Sequence, residues 1–173
     1  MREESLAPKL EDAKKYLEVT QDESEAVSRL VFPSDRSIYD HFVESGIRVD
    51  RVQPGFVVCT FKVPPRLTVS LPTAHPLFLD RAGNLANGAI ATLVDMVGAS
   101  TVFVPHIPMN VSVDMSISYM ANAKLNDELE ITSKRLGQRG RYSGTYVLLR
   151  NKASGEIIAE GRHSLFRSSS SKL

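Results

Sequence analysis

The stretch that decides the fold is AIATLVDMVGASTVFV, which runs from Ala89 to Val104. Placed on a helix, its side chains are apolar or small on nearly every side, with Asp95 as the one charge, so this helix must be buried. Pro105 follows it and ends it, while Asn84 and Asn87 precede it and are candidate caps. The sequence therefore predicts a buried central helix over residues 89–104.

The segments around this helix alternate with the period of two that is typical of strands. Before it, residues 47–63 predict a hairpin that turns at Pro54-Gly55. After it, four strands are predicted at Asn110–Met120, Glu128–Leu136, Tyr142–Asn151 and Glu156–Phe166. Because the alternation fits a sheet covered on one face, the predicted fold class is α+β, with an antiparallel sheet around one helix.

The remaining segments carry weaker patterns. Apolar residues at helical spacing predict two short amphipathic helices between Pro8 and Val31, and one more from about Ile38 to Val43. A proline-rich connection then ends at Gly83, and its length suggests a functional loop.

Composition limits the possible partners. Lys plus Arg number 21 against 20 for Asp plus Glu, so no surplus of positive charge exists to hold nucleic acid or an anionic membrane surface. No uncharged run is long enough to span a bilayer. Cys59 lies in an apolar strand and is expected in the core. The histidines are too scattered for a metal site, and their ordinary role is structural or on the surface: His41, His75, His106 and His163.

Several blocks in order resemble one family. Residues 83–95 (GNLANGAIATLVD), 110–120 (NVSVDMSISYM), 151–155 (NKASG) and 158–163 (IAEGRH) are similar to the small hotdog-fold thioesterases of the phenylacetate-type and plant branch, which is acyl-CoA thioesterase 13-like. The resemblance implies a single hotdog domain over residues 37–167, a curved antiparallel sheet wrapped around one long helix. Residues 1–36 would be a helical extension, and residues 168–173 a flexible tail.

The resemblance also implies site residues. Asp95 matches the acid that activates water or attacks the thioester directly, and the backbone amide of Asn87 matches the donor that polarises the thioester carbonyl. Ser112 matches a serine that positions the water. Two positions depart from the family pattern: Ala86 stands where a histidine is usual, and Asp80 corresponds to an asparagine that orients water or substrate in some relatives.

Each of these residues has a simpler interpretation. Asp95 could be a buried acid satisfied by hydroxyl or amide groups, Ser112 a small polar strand residue, and Asp80 a loop acid that caps a turn. Asn87 and Asp95 are about 12 Å apart along the helix and cannot contact one carbonyl carbon together. Asn87 of one subunit and Asp95 of another can reach one carbonyl group if two helices lie antiparallel across a twofold axis. We therefore expect a dimer or, as is common in the family, a tetramer.

We therefore expect hydrolysis of acyl-CoA without a metal or redox cofactor. The acyl group is left open between aromatic and fatty acids. The alternatives are a hotdog dehydratase, which usually needs a histidine that Ala86 does not supply, and an acyl-CoA-binding protein without catalysis. Candidate ligands for the phosphates of coenzyme A are Lys124, Lys134, Arg135, Arg139 and Arg141.

The last three residues are Ser171-Lys172-Leu173, the tripeptide that the peroxisomal import receptor recognises. A serine-rich tail precedes it and should leave it accessible. We therefore expect a peroxisomal location.

Overall fold

The computed structural model describes residues 38–68, 83–103 and 110–167, which belong to one compact unit that begins at Ser37. Two helices are present, α1 (Ile38–Glu44) and α2 (Asn87–Ser100). The strands are β1 (Ile47–Gln53), β2 (Phe56–Lys62), β3 (Asn110–Tyr119), β4 (Glu128–Arg139), β5 (Tyr142–Asn151) and β6 (Ile157–Arg167). They form one antiparallel sheet in the order β1-β2-β4-β5-β6-β3, with α2 packed across β3 to β6. The predicted α+β architecture is confirmed.

The predicted ends of the central helix were wrong. Its cap is Ala86, in extended conformation and without a side-chain cap, and Asn87 is the first helical residue. The amides of Leu85 and Ala86 instead bond to the carbonyls of Ala123 and Leu67, so backbone contacts fix the start of the helix. The helix ends at Ser100, and the next hydroxyl, that of Thr101, donates back to the Val97 carbonyl.

The strands lie close to their predicted positions, and the hairpin turn at Pro54-Gly55 is confirmed. The largest difference is β4, which continues to Arg139 instead of ending at Leu136. A bulge at Leu136 shifts the register, after which Gly137 pairs with Gly144 and the ladder with β5 continues.

Alternate residues of the sheet form the core with one face of α2. Leu93 and Val94 of the helix are fully buried, as are Phe61 and Ile131 of the sheet. Cys59 is buried as expected, and burial raises the pKa of its thiol to about 11. No helix in the described ranges is long and apolar enough to cross a membrane.

Some predictions fall outside the described residues. These are the two N-terminal helices within residues 1–36, the long loop with Asp80, and the tail at residues 168–173. The described short helix α1 agrees with its prediction.

Candidate active site

The structure brings together Asp95 and Ser112, two of the residues that the family resemblance implied for the site. Asp95 lies two turns into α2 on the face beside β3, and its side chain is 39% exposed. Ser112, the third residue of β3, donates its hydroxyl hydrogen to Asp95 Oδ1 over 2.7 Å. A partly exposed carboxylate is thus held by a neighbouring strand.

His163 of β6 completes this cluster and was missed by the sequence analysis. Its Nε2 lies 2.9 Å from Ser112 Oγ and 3.2 Å from Asp95 Oδ1, and its side chain is 0% exposed. The sequence does indicate that this histidine is buried, since His163 alternates with Gly161 and Leu165 on the buried face of β6. A polar ring on such a face needs a partner, and here the partners are the two site residues.

The environment of His163 selects one tautomer. Nδ1 is buried without a hydrogen-bond partner among the described residues, whereas Nε2 faces two oxygens. A proton on Nδ1 would be an unsatisfied buried donor and would turn the Nε2 lone pair toward a carboxylate. The proton therefore sits on Nε2, which donates to Ser112, and Ser112 donates to Asp95.

Close packing fixes the imidazole. A Cβ added at Gly98 of α2 would lie 2.9 Å from His163 Nδ1 and 3.1 Å from Thr145 Oγ1, so a side chain at position 98 would displace the ring. Burial lowers the pKa of His163, and the Asp95 carboxylate opposes that shift only in part. The imidazole is neutral near pH 7 and serves as a fixed donor.

The start of α2 carries the second predicted feature, the Asn87 amide. Asn87 and Gly88 are exposed, and no backbone carbonyl among the described residues accepts from their amides. Tyr119, at the end of β3, has its hydroxyl 3.5 Å from the Asn87 carbonyl. Since Asp95 lies beside Ser112 at the other end of β3, helix and strand run antiparallel, and one chain keeps the two features about 12 Å apart.

Two open apolar pockets lie near the ends of α2. Near the end that follows Asp95, a pocket of about 210 Å³ is lined by Met96, Ala99, Ser100, Phe103 and Asn110. Near its start, a pocket of about 170 Å³ includes Tyr39, Phe42, Leu67, Ala86 and Gly88. In the part of the chain that the structure describes, no three His, Cys, Asp or Glu side chains are grouped so that they could hold a metal ion.

Comparison with known proteins places the chain in a family. The family model described as "Thioesterase superfamily" matches residues 82–158. Human acyl-coenzyme A thioesterase 13 is 38% identical over 111 residues, which are 64% of this chain and 71% of that protein. The chain belongs to the thioesterase superfamily. The fold agrees, so the protein is a hotdog-fold thioesterase.

Solved thioesterase structures match most of the chain. Zebra fish thioesterase superfamily member 2 is 31% identical and superposes with a TM-score of 0.64 over 94% of this chain and 100% of that one. The mouse protein thioesterase superfamily member 2 is 32% identical, with a TM-score of 0.60 over 72% of this chain and 84% of that one. The hotdog fold implied by the sequence is confirmed.

Within this thioesterase, the predicted site residues therefore fall into two groups. Asp95 and Ser112 meet in one chain, and Asn87 stands apart at the helix start. Ala86, where the resemblance implied a histidine, is a partly buried cap residue whose side chain offers no donor. Asp80 lies outside the described residues, so its role stays a prediction.

Proposed function

We propose that the protein hydrolyses acyl-CoA thioesters. Water adds to the carbonyl carbon, the carbon–sulfur bond breaks, and coenzyme A leaves as the thiol together with a free carboxylic acid. The observation that carries the proposal is the Asp95 carboxylate, held on one oxygen by Ser112 in a family of thioesterases.

Asp95 is the group that we assign to the attack. Oδ1 accepts from Ser112, while no hydrogen bond within the described residues reaches Oδ2. The free oxygen can remove a proton from the attacking water, or it can attack the carbonyl carbon itself. In the second route the thiol leaves and water then hydrolyses the resulting anhydride between the acyl group and Asp95, so both routes give the same products. Because His163 fixes the direction of the Ser112 hydrogen, Asp95 is held in one orientation.

The negative charge that develops on the carbonyl oxygen needs a donor, and we assign this role to the Asn87 amide. It lies at the positive end of the α2 dipole and has no acceptor among the described backbone carbonyls. The separation from Asp95 of its own chain excludes a shared carbonyl within one subunit. We therefore propose that each site takes Asn87 from one subunit and Asp95 from the other.

The edge strand β3 supports such a dimer. It is 10 residues long, its outer edge is unpaired in the described sheet, and it exposes Val111, Val113 and Met115. Exposed edges of this kind pair readily with another chain. If two β3 strands pair antiparallel about a twofold axis, the Ser112 end of one meets the Tyr119 end of the other, and Asp95 approaches the partner's helix start. An active, compact monomer in light scattering would contradict this.

The apolar pocket near Asp95 supports an acyl ligand. We propose that the acyl group lies against Met96 and Phe103, which leaves aromatic and aliphatic chains both possible. A panel of aromatic and fatty acyl-CoA thioesters, followed by release of free thiol and by product mass, tests the activity. Loss of the acyl group as a free acid is expected for at least one member of the panel.

The same panel distinguishes hydrolysis from the two alternative functions. A dehydratase would remove water from the acyl chain and leave the thioester intact. Its usual histidine must contact the substrate, whereas His163 is fully buried behind Ser112. A protein that only binds acyl-CoA would retain it without release of thiol. Saturable binding of the whole panel without turnover would overturn the proposed hydrolysis.

We also propose that the protein acts in the peroxisome, on the basis of the C-terminal Ser171-Lys172-Leu173. The import receptor recognises such a tripeptide. Deleting these three residues should abolish import of a fluorescent fusion and leave turnover unchanged. Import that survives the deletion would exclude this signal.

A further inference from the structure

Tyr119 is a polar residue beside the start of α2 that no step of the hydrolysis described so far uses. It is the last residue of β3 and pairs with Ala159 of β6, which is fully buried in the core with α2. Directly opposite residues of an antiparallel pair lie on the same face, so Tyr119 also points to the helix side of the sheet. It is nevertheless 45% exposed, so a ligand can reach it.

The hydroxyl of Tyr119 points its hydrogen at the first residue of α2. Its oxygen lies 3.5 Å from the Asn87 carbonyl oxygen, to which it donates at the long limit of a hydrogen bond. A tyrosine hydroxyl has one hydrogen to donate, and its oxygen can also accept. With the hydrogen directed at Asn87, the lone pairs of the Tyr119 oxygen are directed away from the helix and can accept a hydrogen from a bound molecule.

The carboxylate near the other end of β3 can bind a water by one hydrogen only. Asp95 Oδ1 accepts from Ser112, and no hydrogen bond within the described residues reaches Oδ2. A water that donates to Oδ2 keeps a second hydrogen, and Ser112 Oγ is already occupied as the acceptor for His163 and the donor to Asp95. Such a water can turn about its one bond unless another acceptor holds it.

The proposed dimer brings the hydroxyl and the carboxylate together. When two β3 strands pair antiparallel, the Tyr119 end of one lies beside the Ser112 end of the other, and neighbouring strands are about 5 Å apart. Ser112 pairs with the fully buried Leu165, so it faces the helix side just as Tyr119 does. Tyr119 of one chain and Asp95 of its partner thus lie on the same side of the joined sheet.

We propose that Tyr119 of one subunit holds the attacking water on Asp95 of its partner, an inference that rests on the proposed acyl-CoA hydrolysis and its shared site. The Tyr119 oxygen accepts one hydrogen of the water, and Oδ2 of the partner's Asp95 accepts the other. With both hydrogens held, a lone pair of the water points at the carbonyl carbon that Asn87 positions.

This arrangement serves the route in which Asp95 activates water. As the water oxygen bonds to the carbonyl carbon, one water proton moves to Asp95 Oδ2 and an electron pair moves onto the carbonyl oxygen, beside the Asn87 amide. The electron pair then re-forms the carbonyl, the carbon–sulfur bond breaks, and the thiolate takes the proton from Asp95. Tyr119 keeps its own hydrogen throughout. It contacts the reacting water and transfers no proton.

Removal of one oxygen atom tests the proposal. We expect Tyr119→Phe to lower kcat roughly tenfold, the scale of one neutral hydrogen bond, with KM for the acyl-CoA and the dimer mass unchanged. Tyr39→Phe is the matched control. The Tyr39 hydroxyl also lies beside the first turn of α2, 3.4 Å from the position of a Cβ on Gly88, but it belongs to α1 and should leave kcat unchanged.

Two double variants separate a contact with the water from support of the helix start. Added to Asp95→Asn, which no longer activates the water, Tyr119→Phe should cause little further loss of kcat. Added to Asn87→Pro, which has lost the amide but keeps Asp95, it should still cause the full tenfold loss. The two backgrounds therefore report whether Tyr119 acts with Asp95 or with Asn87.

Several results would overturn the role of Tyr119 alone. These are a native kcat in Tyr119→Phe, a raised KM with kcat intact, a dimer that dissociates, an equal loss in Tyr39→Phe, or a loss that disappears in the Asn87→Pro background. In each case the wild type still hydrolyses the thioester, so the proposed function stands. A wild type that releases no thiol from any acyl-CoA would overturn the proposed function and the role of Tyr119 together.

Discussion

The two ends of α2 differ in what they offer to a thioester. Around Asp95 the chain supplies a carboxylate, a hydroxyl and a buried imidazole, joined by hydrogen bonds of 2.7 and 2.9 Å. At Asn87 and Gly88 it supplies backbone amides and no ionised side chain. Under the proposed mechanism, one end of α2 supplies the attacking group and the other stabilises the charge that develops on the carbonyl oxygen. Because the two ends lie about 12 Å apart along the helix, a single chain cannot use both on one carbonyl.

The first test removes the attacking group. Asp95→Asn keeps the volume and one acceptor for Ser112 while removing the carboxylate. We expect turnover to fall roughly 100-fold to 10,000-fold, the scale for loss of a positioned base, with much smaller changes in substrate binding. Turnover per folded oligomer is the quantity to measure, with the melting temperature as a control. Near-native turnover in an assembled variant would exclude Asp95 as the catalytic acid and leave Asp80 as the candidate.

The second test removes the amide at the other end. Proline is tolerated at the first position of a helix, and Ala86 already has the extended backbone that a following proline requires, so Asn87→Pro should fold. We expect kcat to fall roughly 100-fold to 1,000-fold because one donor to the carbonyl oxygen is lost. Asn87→Ala retains the amide and should stay close to wild type. Equal activity of both variants would exclude the Asn87 amide as the donor to the carbonyl oxygen.

The third test concerns His163 and gives the smallest effect. Because burial lowers its pKa from 6.5, the unfolded chain binds more protons at mildly acid pH, and stability falls as the pH drops below about 6.5. His163→Gln should show a shallower decline in melting temperature between about pH 7 and 5, on a scale of roughly 2–4 °C per kcal/mol. Parallel slopes for the two proteins would contradict a buried neutral imidazole.

Local pattern predicted much of this structure. The buried helix followed from residues that are apolar on nearly every side, and the strands from their alternation, because both signals are carried by neighbours in the chain. The start of α2 was mispredicted, since it depends on backbone bonds to Leu67 and Ala123, which are distant in sequence.

The site was only partly predictable for the same reason. Asp95 and Ser112 were identified through family resemblance, whereas His163 lies 51 residues beyond Ser112 and reaches it only because β3 pairs with β6. The space that Gly98 leaves for its ring is also a tertiary feature. No pattern within β6 alone shows which partners a buried histidine will meet.

The most direct test of a site shared between subunits is complementation of two inactive variants. Asn87→Pro and Asp95→Asn chains are co-expressed with different tags, and the mixed dimers contain one site with both changes and one site with neither. We predict recovery of about a quarter of wild-type activity in a random mixture, because half of the dimers are mixed and each has one intact site of two. If each site lies within one subunit, every site in the mixture carries a change. Activity that stays at the level of the separate variants, in dimers shown to be mixed, would contradict the account.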